Sequence, residues 1–102
     1  MDTQLAQRLA ELFRTLGDPT RVRLIALLLE GETNVSALAA RLGVSESAVS
    51  HQLRILRQMR LVRTRKEGRR VFYALDDDHV AALFRMGLDH VTHGESPTTF
   101  SE

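Results

Sequence analysis

The chain has 102 residues and a mass of 11.5 kDa, the size of one domain. It contains no cysteine, which excludes disulfides, thiolate metal sites and cysteine nucleophiles and makes a reduced, cytoplasmic setting the simplest expectation. Its longest apolar run, Leu24 to Leu29, is far too short to span a bilayer, and no basic segment followed by an apolar stretch stands at the N-terminus, so neither a membrane partner nor secretion is expected. The net charge of +1 conceals a segregation: residues 1–40 carry −1, residues 41–73 carry +7 from nine basic and two acidic side chains, and residues 74–102 carry −5. A basic middle between neutral and acidic ends points to a polyanion-binding surface.

In chain order, Leu5, Leu9, Leu12, Phe13 and Leu16 recur at helical spacing, and Gly17 follows where a helix stops. Asp18-Pro19-Thr20 restarts the chain, with Thr20 as the expected cap of a second helix. Its residues Val22, Leu24, Ile25, Leu27, Leu28 and Leu29 read as central core, and Gly31 closes it. A short third helix covers Val35 to Leu42 and ends at Gly43. Ser45 caps a fourth helix running to about Met59, with Val49, Leu53 and Leu56 forming its inward stripe. Leu61 to Lys66 and Arg70 to Leu75 alternate in character around Glu67-Gly68-Arg69, a β-hairpin signal with a basic tip. A last helix spans roughly Asp78 to Thr92, leaving residues 94–102 as an expected frayed tail. The expectation is one mainly α domain over residues 1–93 with a small β-hairpin.

Two helices joined by a short glycine-containing turn, at 35–42 and 46–59, have the layout of a helix-turn-helix, whose second helix lies in the major groove with its N-terminal residues at base edges. Those residues are Glu46, Ser47, Ala48, Ser50 and His51, with Arg54 and Arg57 further along at positions suited to phosphates. The hairpin makes the unit a winged helix, and its Arg65, Lys66, Arg69 and Arg70 suit backbone phosphates or an adjacent minor groove. The candidate DNA-binding set is therefore Glu46, Ser47, Val49, Ser50, His51, Arg54, Arg65, Arg69 and Arg70, in which Val49 also belongs to the inward stripe. The bland alternative is a small helical bundle with a solvated basic face; charge, exposed serines and basic hairpin falling on one segment favour double-stranded DNA.

The other three histidines lie on the last helix. His90 and His93 share a face. His79 and His90 are eleven residues apart, about 20° past three full turns, so all three imidazoles lie on one side. Asp77 joins His79 only as the helix cap. The pairs Asp77/His79 and His90/His93 lie roughly 16 Å apart along the axis, too far for one metal ion with bonds near 2.0–2.1 Å. An antiparallel copy of the helix resolves this, since one register brings Asp77 to the partner's His93 and His79 to the partner's His90, with the two-fold axis near Phe84–Arg85. A homodimer with two equivalent metal sites of Asp77, His79, His90 and His93 is the expectation, and two-fold symmetry also suits paired DNA half-sites. Four N/O donors without sulfur suit tetrahedral Zn(II) or Co(II), whereas nickel prefers more ligands and only Glu95 stands nearby to supply one. The closed donor set, with no phosphate loop or nucleophile elbow elsewhere, argues against an enzyme such as a zinc hydrolase.

Leu12-Phe13-x-x-Leu16-Gly17-Asp18-x-x-Arg21-x-Arg23 and Ser45-x-Ser47-x-Val49-Ser50-His51-Gln52-Leu53-x-x-Leu56 resemble the ArsR/SmtB family of bacterial metal-responsive repressors, the likeness extending to His93. Leu75-Asp76-Asp77-x-His79-Val80-Ala81 with His90-x-x-His93 resembles the C-terminal-helix zinc site of its CzrA-type subgroup. The resemblance implies a homodimeric winged-helix repressor that leaves operator DNA when zinc binds, at genes for zinc or cobalt efflux or sequestration. The helix at 35–42 lacks the thiols of the family's cysteine-based sites, so soft-ion sensing through thiolates is not expected. The alternative is a winged-helix DNA-binding protein whose zinc site is structural or that senses Co(II) or Ni(II).

Overall fold

The computed structural model describes residues 1–93, and the tail expected at 94–102 lies outside the described residues. Helix α1 (Thr3–Leu16) starts at Asp2, whose side chain accepts a hydrogen bond from the Leu5 amide at 2.8 Å. Its apolar residues part company: Leu12 and Leu16 pack against the core, while Leu5, Leu9 and Phe13 stay exposed.

Helix α2 (Pro19–Leu28) is capped by Asp18 rather than by Thr20. The Asp18 carboxylate accepts from the Arg21 amide at 3.1 Å, and Pro19 occupies the first helical position, where its fixed φ fits and its missing N–H costs nothing. Leu24, Ile25 and Leu28 are buried as expected, whereas Leu27 and Leu29 are half-buried and Val22 is exposed. Helix α3 (Val35–Leu42) is capped by Asn34 and ends at Gly43 in the left-handed conformation with φ 72°, a geometry that costs glycine no Cβ penalty. Helix α4 (Glu46–Gln58) is capped by Ser45, which accepts from the Ala48 amide at 3.0 Å.

The end of α4 is a feature with no glycine signal. Arg60 takes φ 59°, its amide donates to the Arg57 carbonyl at 3.0 Å and the Leu61 amide to the Leu56 carbonyl at 2.9 Å. This is a Schellman-type ending built on a non-glycine residue. Strands β1 (Val62–Glu67) and β2 (Arg70–Leu75) then pair antiparallel, from Val62 with Leu75 to Glu67 with Arg70. Glu67 is thus a strand residue, and the turn is the two residues Gly68 and Arg69, with positive φ only at Gly68, the pattern of a type II′ hairpin. A third backbone segment joins: Thr33 bridges Tyr73, with amide–carbonyl distances of 3.0 and 2.7 Å. This fastens the α2–α3 loop to the outer side of β2.

Helix α5 (Asp78–Thr92) follows, capped by Asp77. The core gathers Leu24, Ile25, Leu38, Val49, Leu53 and Leu56, all essentially without exposed surface, and α5 adds only Val80 in full and Phe84 in part. Fully burying one such side chain contributes about 1.5–3 kcal/mol. Most of the long C-terminal helix stands outside this core. No helix among the described residues is long and apolar enough to cross a membrane.

Candidate nucleic-acid interface and metal centre

On α4 the inward stripe holds the helix against the core and turns the opposite side outward. Glu46, Ser47, His51, Arg54 and Arg57 are exposed, and Ser50 is half-buried. Val49 is the correction to the candidate set: it is 1% exposed and packed in the core, so it positions the helix and has no surface to offer DNA. A hydrophobic residue in an inward stripe cannot also face a groove on the other side of the same helix.

The wing tip comes to the same side. One surface groove is lined by Asn34 and Ser36 of the α3 start, Glu46 of α4, and Arg69 and Arg70 of the hairpin. Lys66, Arg69, Arg70, Arg54 and Arg57 are exposed and make no ion pair among the described residues. Arg65 differs. Its Nη2 lies 2.7 Å from Glu32 and its Nη1 2.7 Å from Glu67. Glu32 holds the Arg65 guanidinium above its ordinary pKa, with Glu67 adding to this, and Arg65 in turn lowers the Glu32 carboxyl. Arg63, two residues earlier on β1, donates to the Asp76 carbonyl at 2.7 Å.

The candidate metal ligands occupy both ends of α5. At the start, Asp77 uses one oxygen to accept from the Val80 amide at 3.1 Å, and the other lies 3.3 Å from His79 Nδ1. The Val80 amide above all, and His79 after it, hold the Asp77 carboxyl below the usual carboxylate range. Two donors about 2.0–2.2 Å from one tetrahedral ion lie roughly 3.3 to 3.5 Å apart, so the cap already sets this pair at a usable separation. At the far end the helix stops at Thr92 and His93 is its C-cap, with an extended backbone, yet the His93 amide still donates to the Asp89 carbonyl at 2.7 Å. His90 and His93 line one shallow surface groove with Met86 and Asp89. Asp89 was missed as a neighbour of this pair because sequence spacing pointed only to the histidines. No group of three or more histidine or carboxylate side chains that could hold a metal forms among the described residues. The four candidates stand as two pairs.

Between those pairs α5 carries an uncovered apolar face. Leu83, Phe84, Gly87, Leu88 and Val91 line a groove with Phe13 and Leu16 of α1 and Val22 of α2. Phe13, Leu88 and Val91 are each more than half exposed, an area of apolar surface that a single chain leaves in water.

Comparison with known proteins agrees with this architecture. The model of the arsR family of bacterial regulatory proteins matches residues 18–64. A transcriptional repressor SmtB homolog from Synechocystis is 50% identical over 95 residues, spanning 93% of this chain and 72% of the relative. The transcriptional regulator NmtR of Mycobacterium tuberculosis is 39% identical over 93 residues, spanning 91% of this chain and 78% of the relative. A solution structure of apo-NmtR superposes with a TM-score of 0.79 at 37% identity, covering 95% of this chain and 84% of that one. A homodimeric winged helix-turn-helix DNA-binding domain from Mycobacterium bovis superposes with a TM-score of 0.80 at 29% identity, covering 91% and 90%. With five helices, a paired hairpin in the position of a wing and relatives that are regulators rather than enzymes, the chain belongs to the ArsR/SmtB family of metal-responsive transcriptional regulators.

Proposed function

We propose that the protein is a cytoplasmic, homodimeric repressor that binds double-stranded operator DNA and is released by Zn(II), with Co(II) as a second competent ion. The observation that carries this reading is on α5: half a tetrahedral donor set at each end, Asp77 with His79 and His90 with His93, and an uncovered apolar face between them. An antiparallel second copy of α5 covers that face and brings each half-set to the other. Bound zinc supplies a four-coordinate cross-link between the subunits. Asp77 caps α5 immediately after the hairpin, and the neighbouring Asp76 amide donates to the Leu61 carbonyl at the base of the wing. A change in how the two α5 helices cross is therefore passed to each reading head through a short, hydrogen-bonded junction.

On the DNA side, Glu46, Ser47, Ser50 and His51 are the base-reading residues, with Arg54, Arg69 and Arg70 on phosphates or in the minor groove. Linkage requires that DNA weaken zinc binding by the factor by which zinc weakens DNA binding. The direction of that coupling follows from the family resemblance. The CzrA-type arrangement is supported by the same four residues, and by a chain without thiols.

Fluorescence anisotropy of metal-free protein on a duplex from upstream of its own gene, before and after stoichiometric Zn(II), tests the reading. Tight binding released by zinc and restored by a chelator is the expected result. Tight binding indifferent to zinc and cobalt overturns the sensor and leaves a DNA-binding protein with a structural site.

A further inference from the structure

The wing carries a cluster that neither base reading nor metal binding uses. Arg65 leaves β1, and its guanidinium lies over the Phe72 ring of β2, 4.8 Å from the centroid. Beyond the ring it reaches Glu32 in the α2–α3 loop: Nε lies 3.2 and 3.1 Å from the two carboxylate oxygens and Nη2 2.7 Å from one of them. Nη1 donates to Glu67 at 2.7 Å. The side chain thus crosses β2 and pins the hairpin to the loop, beside the Thr33–Tyr73 backbone bridge. Arg70 also stands over this ring, 5.3 Å from the Phe72 centroid, so the ring carries the guanidiniums of both arginines.

We propose that Glu32, Arg65 and Phe72 are the positioning residues of the wing, holding the hairpin at a fixed angle to the helix-turn-helix so that Lys66, Arg69 and Arg70 meet DNA, and that Arg65 itself contacts no phosphate. This rests on the reading of the wing as a DNA contact. Two observations support it. First, all three guanidinium nitrogens of Arg65 already donate to carboxylates, which engages three of its five N–H donors and fixes the fork between the loop and β1. Second, Glu32 and Glu67 offset the charge of Arg65, whereas Lys66, Arg69 and Arg70 have no acidic partner among the described residues. The two acids offset Arg65, so the unpaired cations nearest the turn are Lys66, Arg69 and Arg70.

The test is the salt dependence of DNA binding by the metal-free dimer, measured by anisotropy on a fluorescein-labelled duplex from upstream of its own gene, for Glu32→Gln, Arg65→Met, Arg69→Ala and Arg70→Ala. Glu32→Gln and Arg65→Met each weaken binding about fivefold with an unchanged slope of log K against log salt, the order expected for losing one partly exposed fork. Arg69→Ala and Arg70→Ala each reduce the slope by about 0.9, one phosphate apiece. Without DNA, amide hydrogen exchange over residues 64–71 is faster in Glu32→Gln than in the native protein, which a role confined to DNA contact does not produce. Tighter binding and a steeper slope in Glu32→Gln, or a slope lowered by about 0.9 in Arg65→Met, makes Arg65 a phosphate contact and overturns the proposal. Unchanged exchange in Glu32→Gln overturns the positioning role. Unchanged slopes in both Arg69→Ala and Arg70→Ala overturn instead the wing's part in DNA binding, and the two failures are separate readouts.

Discussion

Mixing two defective chains gives the most demanding test of a shared metal centre. One chain carries Asp77→Ser with His79→Ala, the serine keeping an acceptor for the Val80 amide that Asp77 now caps. The other carries His90→Ala with His93→Ala. Between His79 and His90 the helix rises roughly 16 Å, several times the ~2.0–2.1 Å of a zinc–nitrogen bond, so neither chain can close a four-donor site alone. Each defective homodimer lacks half of both sites. In a heterodimer one site loses all four donors and the other regains all four. Random subunit exchange makes about half the dimers mixed, each with one intact site against two in the native dimer, so tetrahedral capacity recovers to about a quarter of native. Co(II) titration followed by its visible absorption reads this directly, because the tetrahedral ion absorbs strongly, and calorimetry with Zn(II) counts the sites. A mixture that binds no more than the sum of its parts, or one homodimer that keeps full affinity, refutes the two-fold arrangement.

Ser47→Ala and His51→Ala, both at exposed positions on α4, are expected to reduce the preference for upstream DNA over random duplex more than they weaken binding to random duplex; equal losses in competition assays contradict a reading role. Arg60→Gly is expected to raise unfolding stability by about 1 kcal/mol, since glycine takes the φ of 59° without the Cβ cost, and urea denaturation measures it. Arg65 lowers the Glu32 carboxyl below its ordinary 4.5, so the stabilisation from this pair is complete above that pH and is lost as pH falls through the lowered folded value. The Tm difference between native protein and Glu32→Gln accordingly closes on acidification, and a gap that persists or widens there contradicts the pairing.

Most helical boundaries were legible because they are local. Ser45 and Asp77 each reach an amide three residues on, and Gly43 supplies the left-handed turn after α3. Even the cap of α2 was a local competition, won by Asp18 because Pro19 takes the first helical position and leaves Thr20 inside the helix. Spacing likewise placed His79 and His90 on one continuous helix, whereas His93 is its C-cap. The end of α4 was not legible: Arg60 adopts a glycine-like φ because β1 must leave the helix there, and propensity gives no sign of it.

The sequence by itself determined the helices, the hairpin and the alignment of Asp77, His79 and His90, since those depend on residues a few positions apart along a regular backbone. His93 falls on the same turn through its amide bond to Asp89, although it lies just past the last helical residue. Tertiary structure alone decided which outward residues are available. It buried Val49 of α4 in the core and left the α5 face uncovered in a single chain. It also brought Glu32 to Arg65 across 33 positions, over Phe72 and beside the Thr33–Tyr73 bridge. Charge counting set Arg65 with the other basic residues of the wing, because composition records a charge and not its partner. The partner is chosen by how the α2–α3 loop packs against β2, a long-range contact that no local pattern encodes.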